Sequence, residues 1–406
     1  MKRSLCLFLT KLFFEVKVSK LIFLILYITG GLLLPIISMG QSKRSNLIEI
    51  VFTSDAHYAI KRKNFQGDTN VDAHQVNAAM IKKINQLPDM TLPADDGVAA
   101  GKKVTAVDYI IQTGDIANRM EIPYQSAAAS WSQFETDYIM GVTLKDHNNK
   151  KTGLLLAPGN HDISNAIGFY KAMEPKTDAS SMVNIYNLMM RPAKPKTNAD
   201  YNYTADKINY SKNIGGVHFM FITLWPDSAE RIWMQSDLDS VATKTPVIVF
   251  CHDQPTCEAK HFTNPVPPHN MSAENKFENL VAEQYKEGTS AKGDDGNTDI
   301  EQRGWVKFLQ AHPNIKAYFH GNSNWNEFYV YKGPDNNVAL NTFRVDSPMK
   351  GKYSSKDETK LSFQVISLDP LKKLLTVREC LWDTEPSNPN SKIVFGATKT
   401  VSLSVE

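Results

Sequence analysis

Cysteine is scarce in this chain: four residues in 406, at Cys6, Cys251, Cys257 and Cys380. No pair has the spacing of a zinc-thiolate site, which excludes a zinc ribbon or finger. Charge of one sign is lacking too. The formal net charge is +2, from 45 basic and 43 acidic residues. Without residues 1–40, which hold five basic residues and Glu15, the balance becomes 40 against 42, or −2. That leaves no electrostatic reason to expect nucleic-acid binding. No internal repeat, collagen-like period or low-complexity tract is present, and no linker divides the chain into independent domains. An apolar fraction of 42% and a charged fraction of 22% are ordinary for a globular protein.

One long apolar run stands out, Leu21 to Ser38, preceded by Lys2, Arg3, Lys11, Lys17 and Lys20. Ser38 and Gly40 then make a small-x-small site before Gln41. Residues 1–40 read as a signal peptide, and the mature protein is expected to be exported, periplasmic or secreted. The run is also long enough to anchor the chain in a membrane if it stays uncleaved. Pro35 and the Gly30–Gly31 pair weaken it as a spanning helix. Export would favour a Cys251–Cys257 bridge. Against that, Cys251 has the character of a small apolar residue in the run Pro246 to Phe250.

From residue 41 onward, short β-rich runs alternate with helical patterns, an α/β signature. Strands are expected at Leu47 to Phe52, Val107 to Gln112, Leu154 to Ala157, Val217 to Ile222, Pro246 to Phe250 and Lys316 to Phe319. Helices are expected near Asp72 to Leu87, Ser126 to Ile139, Ala229 to Val241 and Ile300 to Ala311. Residues 173–211 carry Pro175, Pro192 and Pro195 and read as irregular. Residues 253–304 form a polar insertion with one helix near Ala273 to Lys286, of a length typical of lids and binding loops. Beyond residue 325 the runs 327–331, 339–345, 360–366 and 373–378 alternate apolar with polar residues and suggest antiparallel strands.

Four of these strands end in residues able to bind metals. Asp55-Ala56-His57 follows the first, Gly114-Asp115 the second, Gly159-Asn160-His161-Asp162 the third, and His252 follows Phe250. In α/β sheets, sites gather at the carboxyl ends of strands. Each piece alone is weak, since Asp72-Ala73-His74 repeats the first triplet. That copy opens a helix, where Asp72 can cap the terminus and His74 can sit exposed. Gly67-Asp68 and Gly293-Asp294 lack a preceding apolar strand. The order of the four pieces carries the signal.

This ordered set, from Asp55 to about Asn324, resembles the calcineurin-like metallophosphoesterase superfamily. The resemblance implies two facing mixed β-sheets flanked by helices, with the site on loops at one edge. It implies one or two divalent metal ions (Mn, Mg, Ca, Fe or Zn). Asp55 and His57 would hold the first, Asp115 would bridge both, and Asn160 and His252 would hold the second. Bridged ions sit about 3.5–4 Å apart and clamp the attacking and leaving oxygens. A metal-activated hydroxide would attack phosphorus in line, with His161 as general acid. Asp162 and Arg119 join His161 as catalytic candidates, Arg119 as a phosphate clamp or as a surface ion-pair partner. The substrate would be a small-molecule phosphate ester, monoester or diester.

Two departures from the family pattern bear on this. The last motif should hold two histidines, but the chain reads His320-Gly321-Asn322-Ser323-Asn324. Asn322 and Asn324 at the ligand positions favour harder ions such as Mn²⁺, Mg²⁺ or Ca²⁺ over zinc or iron. His320 offers a substitute ligand only if the loop turns. Relatives also carry Asp where this chain has Asn118, which can bond His161 without raising its pKa as a carboxylate would. A weakened or inactive relative acting as a metal- or ligand-binding protein is the competing expectation. A different metal-assisted hydrolysis, such as pyrophosphate cleavage, is a third. His261 and His269 in the insertion could reach a substrate. His147 and His312 read as surface residues, His218 as core, and Trp325 as the aromatic beside the variant motif.

Overall fold

The computed structural model describes residues 47–118, 125–164, 178–203, 205–256, 258, 261 and 300–405. The leader, the helix expected at 273–286, Arg119, Cys257 and His269 lie outside the described residues.

The first strand, β1 (Ile48–Thr53), shows how the fold is layered. Alternate side chains of a strand leave on opposite faces. Ile50 and Phe52 enter one buried cluster, and Val51 enters another. A hairpin follows, β2 (Lys61–Phe65) and β3 (Asp68–Asp72), then helix α1 (Ala73–Ile84). Asp72 stands at the α1 N-cap, where the Gln75 side-chain oxygen accepts its backbone N–H at 3.4 Å. The second Asp-Ala-His triplet is therefore a helix start. His74 is half-exposed and pairs with Asp137 at 3.0 Å.

Next come β4 (Tyr109–Gln112), α2 (Ala127–Phe134) with a wide turn over Glu135–Met140, β5 (Gly153–Leu156), and the single turn α3 (Asn160–Ile163). Helix α4 (Ser180–Met190) occupies ground expected to be irregular. The prolines that suggested loop, Pro175 and Pro192, lie outside its bounds and do not interrupt it. The chain continues through β6 (Tyr210–Ile214), β7 (Val217–Phe221), α5 (Ser228–Leu238), β8 (Val247–Phe250), α6 (Ile300–Ala311) and β9 (Ile315–His320). It ends with β10 (Glu327–Tyr331), β11 (Leu340–Arg344), β12 (Ser362–Asp369), β13 (Leu374–Leu381) and β14 (Val394–Ser402).

Two six-stranded mixed sheets result, ordered β14-β13-β12-β1-β4-β5 and β10-β11-β9-β8-β7-β6. One buried cluster draws on both: Ile50, Phe52 and Ile366 from the first, Phe219, Phe250 and Phe319 from the second. Phe52 meets Phe250 and Phe319 edge-on at 5.8 and 5.4 Å, so the sheets pack face to face. The outer faces are covered by helices, whose Val76, Met80, Phe134 and Trp305 join the other cluster. The tail departs from the all-antiparallel expectation. β11 runs parallel to β9 and antiparallel to β10. Period-2 alternation sets which face is buried, not which neighbour a strand pairs with.

The parallel strands β1, β4 and β5 of one sheet, and β8 and β9 of the other, all release their carboxyl ends toward one edge. Hydrogen bonding continues past the strands. Asp55 N donates to Gly114 O at 3.0 Å, His57 N to Asp115 O at 2.9 Å, and Gly321 N to His252 O at 3.0 Å. The loops after β1 and β4 are thus tied to each other at that edge, as are those after β8 and β9.

Candidate metal centre

The loops come very close. A Cβ on Gly114 would strike the Gly159 backbone, and one on Gly159 would strike Asp115. Gly114 also holds φ +96°. Both glycines are required by this contact, which brings Asp115 beside Asn160 and His161. Asp55, His57, Asp115, Asn322 and Asn324 all have φ between +47° and +66°. Non-glycine residues visit this region at a cost, least for Asn and Asp, and such strain concentrates at functional sites.

Asp115 is the centre. It is buried, and its two oxygens face different groups. Oδ1 lies 3.4 Å from His252 Nε2 and accepts the His161 backbone N–H at 2.8 Å. Oδ2 lies 3.7 Å from His57 Nε2 and 3.9 Å from His161 Nε2. Asp55 Oδ1 lies 3.4 Å from His57 Nε2. Among the described residues two groups can hold an ion, His57–Asp115–His161 and Asp55–Asp115–His252, with Asp115 in both. Asp55 and His57, expected together at the first ion, also stand side by side.

The residues fit a metal. Asp55 Oδ1 and both ring nitrogens of His57 are buried and make no hydrogen bond. Such orphans cost free energy unless something binds them. Two ligands each about 2.1 Å from one tetrahedral ion stand roughly 3.4 Å apart, close to these separations. His252 is pre-set as a ligand. Its Nδ1 donates to Thr113 O at 2.6 Å, which aims Nε2 at the site, where Asn160 Oδ1 lies 3.1 Å away. Burial lowers the His252 pKa, but the Asp115 carboxylate outweighs it and lifts it to about 10. Burial and the nearby Lys350 charge lower that of His57. Burial opposes the Asp115 charge, yet His252 and His161 hold its carboxyl well below the usual range.

Asn324 Oδ1 is also buried without a hydrogen bond. Asn322 turns its amide nitrogen toward Gln254 and Glu258, at 3.4 and 3.5 Å. Its backbone N–H holds Asp55 Oδ2 at 2.9 Å. His320 does not replace the missing histidines. Its Nδ1 donates to Gly321 O at 3.0 Å and its Nε2 accepts from the Tyr329 hydroxyl at 3.0 Å, so both nitrogens are engaged. Asp162 is fully buried behind the site. Its Oδ1 accepts the backbone N–H groups of Ile116 and Ala117 at 3.0 and 3.2 Å, and its Oδ2 that of Gly159 at 2.9 Å. Burial and the Asp115 charge push its carboxyl up to about 7. Asn118 is buried, with its backbone N–H on Tyr58 O at 2.9 Å.

One site residue escaped the sequence reading. Lys350 Nζ lies 3.5 Å from His161 Nε2. No motif surrounds it. Its place comes from Ser347, whose hydroxyl donates to Asp55 O at 2.9 Å and accepts the Lys350 backbone N–H at 2.9 Å. Among the other candidates, His261 is buried and bonds Asp253 at 2.5 Å. His218 is buried between Asn213 and Asp237, at 2.8 and 2.6 Å. His147 pairs with Asp108 at 2.8 Å. Cys251 is a buried free thiol that donates to Leu224 O at 2.6 Å.

The family model for calcineurin-like phosphoesterases matches residues 48–346. No curated protein matches the sequence. Among solved structures, a dimetal phosphatase from Danio rerio is similar at 8% identity and a TM-score of 0.48, covering 86% of this chain and 98% of that one. A phosphopantetheinyl hydrolase from Mycobacterium tuberculosis is similar at 9% identity and a TM-score of 0.33, over 75% and 91% of the two chains. A calcineurin-like phosphoesterase from Bacillus subtilis is similar at 10% identity and a TM-score of 0.30, over 88% and 91%. With the family model spanning most of the chain and two metal-ligand groups at the shared edge of its sheets, the protein belongs to the calcineurin-like phosphoesterase family and is a metal-dependent phosphoester hydrolase.

Proposed function

We propose that the protein is an exported hydrolase of small-molecule phosphate esters that works with two divalent ions. The observation that carries this reading is Asp115, whose oxygens each face a different ligand group. Asp55, His57, His252 and Asn160 complete those groups, with Asn324 as a further oxygen donor. An oxygen-rich set of this kind suits Mn²⁺, Mg²⁺ or Ca²⁺. When bound, the ions supply Lewis-acid charge for the attacking and leaving oxygens.

His161 is the acid in this reading. Its side chain is 11% exposed, whereas those of His57 and His252 are 1% and 0% exposed, so of the three it is the one a substrate can reach. It would hold a proton on Nε2 for the leaving oxygen. Lys350, beside it, would place a positive charge on the phosphoryl group, the task Arg119 was expected to share. Asp162 acts as a positioning residue, because its carboxylate is committed to the loops that carry Asp115 and Asn160. The five basic residues ahead of Leu21 to Ser38 support export by cleavage before Gln41, or retention by an uncleaved anchor.

The test is metal-stripped protein reloaded singly with Mn²⁺, Mg²⁺, Ca²⁺, Zn²⁺ or Fe²⁺. Each form is assayed on a generic phosphomonoester and a phosphodiester, with His161→Ala as control. Turnover restored best by Mn²⁺, Mg²⁺ or Ca²⁺, and reduced at least about a hundredfold by His161→Ala, is expected. Equal rates for the variant under every metal would sink the acid role. N-terminal sequencing of the protein from its native compartment decides the fate of the leader.

A further inference from the structure

Beside the metal centre lies a second feature, which the hydrolytic machinery does not use. A cavity of about 400 Å³ is walled by Trp325 and Tyr353, with Asp346 and Ser354 at its buried end. Trp325 directly follows Asn324, and Asp346 directly precedes Ser347, which bonds Asp55. By chain geometry the cavity begins within roughly 10 Å of the metal ligands, the reach of a small ester's alcohol half.

Three observations define what would fit. The rings of Trp325 and Tyr353 meet at 71°, with centroids 6.4 Å apart, and form an aromatic corner. The Arg344 guanidinium stacks on Trp325 at 3.6 Å, and a second cation occupies the corner: Lys352 Nζ lies 4.2 Å from the Trp325 centroid and 5.6 Å from that of Tyr353. Its side chain is exposed and free to leave, while its backbone N–H stays on Asn324 O at 2.6 Å. Asp346 is 3% exposed, and neither carboxylate oxygen makes a hydrogen bond of ordinary geometry. Burial pushes its carboxyl up to about 8, and the Ser354 hydroxyl, the Ser347 and Ser362 amides and the Arg62 charge offset this only in part. Asp357 and Glu379 add acidic lining, and Lys356 and Lys360 stand on exposed stems at the rim.

We propose that this cavity binds the organic cation of an amino-alcohol phosphoester, an alkylammonium or trimethylammonium group, with Lys352 as the stand-in that it displaces. Aromatic faces attract such cations through their quadrupoles, and a cation bound beside Asp346 lowers its pKa, so that the carboxyl ionises opposite it. A neutral alkyl group of the same shape would gain the apolar contact alone. The assignment of that cation to the substrate's alcohol half rests on the phosphoesterase reading above. The binding itself does not.

The experiment titrates the full chain with choline and with its neutral isostere 3,3-dimethylbutan-1-ol, by calorimetry. Choline is expected to bind about tenfold tighter than the isostere. Lys352→Ala should tighten choline by removing its competitor, and Trp325→Ala should weaken it about tenfold. Asp346→Asn should erase the preference over the isostere. Equal binding of choline and isostere, or no choline binding to wild type and Lys352→Ala alike, overturns the proposal. Lys352 is exposed and Trp325 is only partly buried, so the outcome does not depend on the buried Asp346 variant folding. A second arm compares kcat/KM for phosphocholine and 3,3-dimethylbutyl phosphate. Turnover of neither ester would reject a small monoester of this kind as the substrate, and the titration would still decide the cavity.

Discussion

Asp162 is the sharpest place to separate chemistry from architecture. It stands in the tetrad that suggests catalysis, yet its carboxylate faces three backbone amides, at 3.0, 3.2 and 2.9 Å. Those amides belong to the two loops that meet at Gly114 and Gly159. Removing an acceptor from a buried donor costs about 1–3 kcal/mol. Asp162→Asn keeps one oxygen for Ile116 and Ala117 but turns an NH₂ toward the Gly159 N–H, so one bond is lost. The expected destabilisation is about 1–3 kcal/mol, which a protein of ordinary stability survives. Asp162→Ala loses all three and should cost roughly 3–5 kcal/mol after local relaxation. Displacing Asp115 and Asn160 should lower metal affinity or kcat/KM about 10- to 100-fold, as for other residues that support metal ligands. Urea unfolding gives the stability, and amide exchange at Ile116, Ala117 and Gly159 locates it. If Asp162→Asn leaves stability and exchange unchanged but destroys turnover, the carboxylate acts in the reaction and is not a positioning group.

Other expectations follow from the same geometry. Fully buried Arg378 is held by Asp95 at 2.7 and 2.8 Å, so Asp95→Asn should cost about 3–5 kcal/mol by stranding the guanidinium. Arg378 holds the Asp95 carboxyl down at about 2, below its ordinary value, so this contribution is present above pH ~4 and is lost as pH falls toward 2. Its size is about 2 kcal/mol, and the stability gap between wild type and Asp95→Asn should narrow by that amount in acid unfolding over that window. His320→Gln should leave the metal content measured by elemental analysis unchanged, since both ring nitrogens serve Gly321 and Tyr329. A loss of one ion per chain would restore His320 as a ligand. Lys350→Met should raise KM for a phosphomonoester about tenfold and leave metal content intact. An unchanged KM would remove Lys350 from the phosphate site.

The site was legible in the sequence where an apolar strand ran straight into polar ligands. Ile48–Thr53 and Gly153–Leu156 are apolar-rich runs whose buried ends lie beside Asp55 and Asn160, and parallel strands deliver such ends to one edge. How closely the ligands approach one another was not legible. Which histidine faces which oxygen of Asp115 is set by the Gly114–Gly159 contact between loops 45 residues apart. Lys350 was invisible for a related reason. A lone lysine in a loop carries no pattern, and it reaches His161 only because Ser347 ties that loop to Asp55. Helix α4 was missed because its flanking prolines dominated the reading, and the parallel pairing of β11 because alternation does not encode a neighbour's direction.

Backbone conformation gives the variant last motif a physical meaning beyond ligand choice. Asn322 and Asn324 sit at φ +60° and +66°, and Ser323 between them donates its hydroxyl to Gln254. Asn is the side chain that best tolerates this region apart from glycine. The loop that must fold back to bring Asn322 N–H onto Asp55 Oδ2 is thus less strained with Asn than it would be with His. Histidine at 322 or 324 would add a stronger ligand and a strained backbone together. Restoring both should tighten metal binding measured by competition with a chelator while lowering the stability of the metal-free protein. If the double variant binds metal no better and unfolds at the same urea concentration, these positions are neither ligand sites nor points of strain.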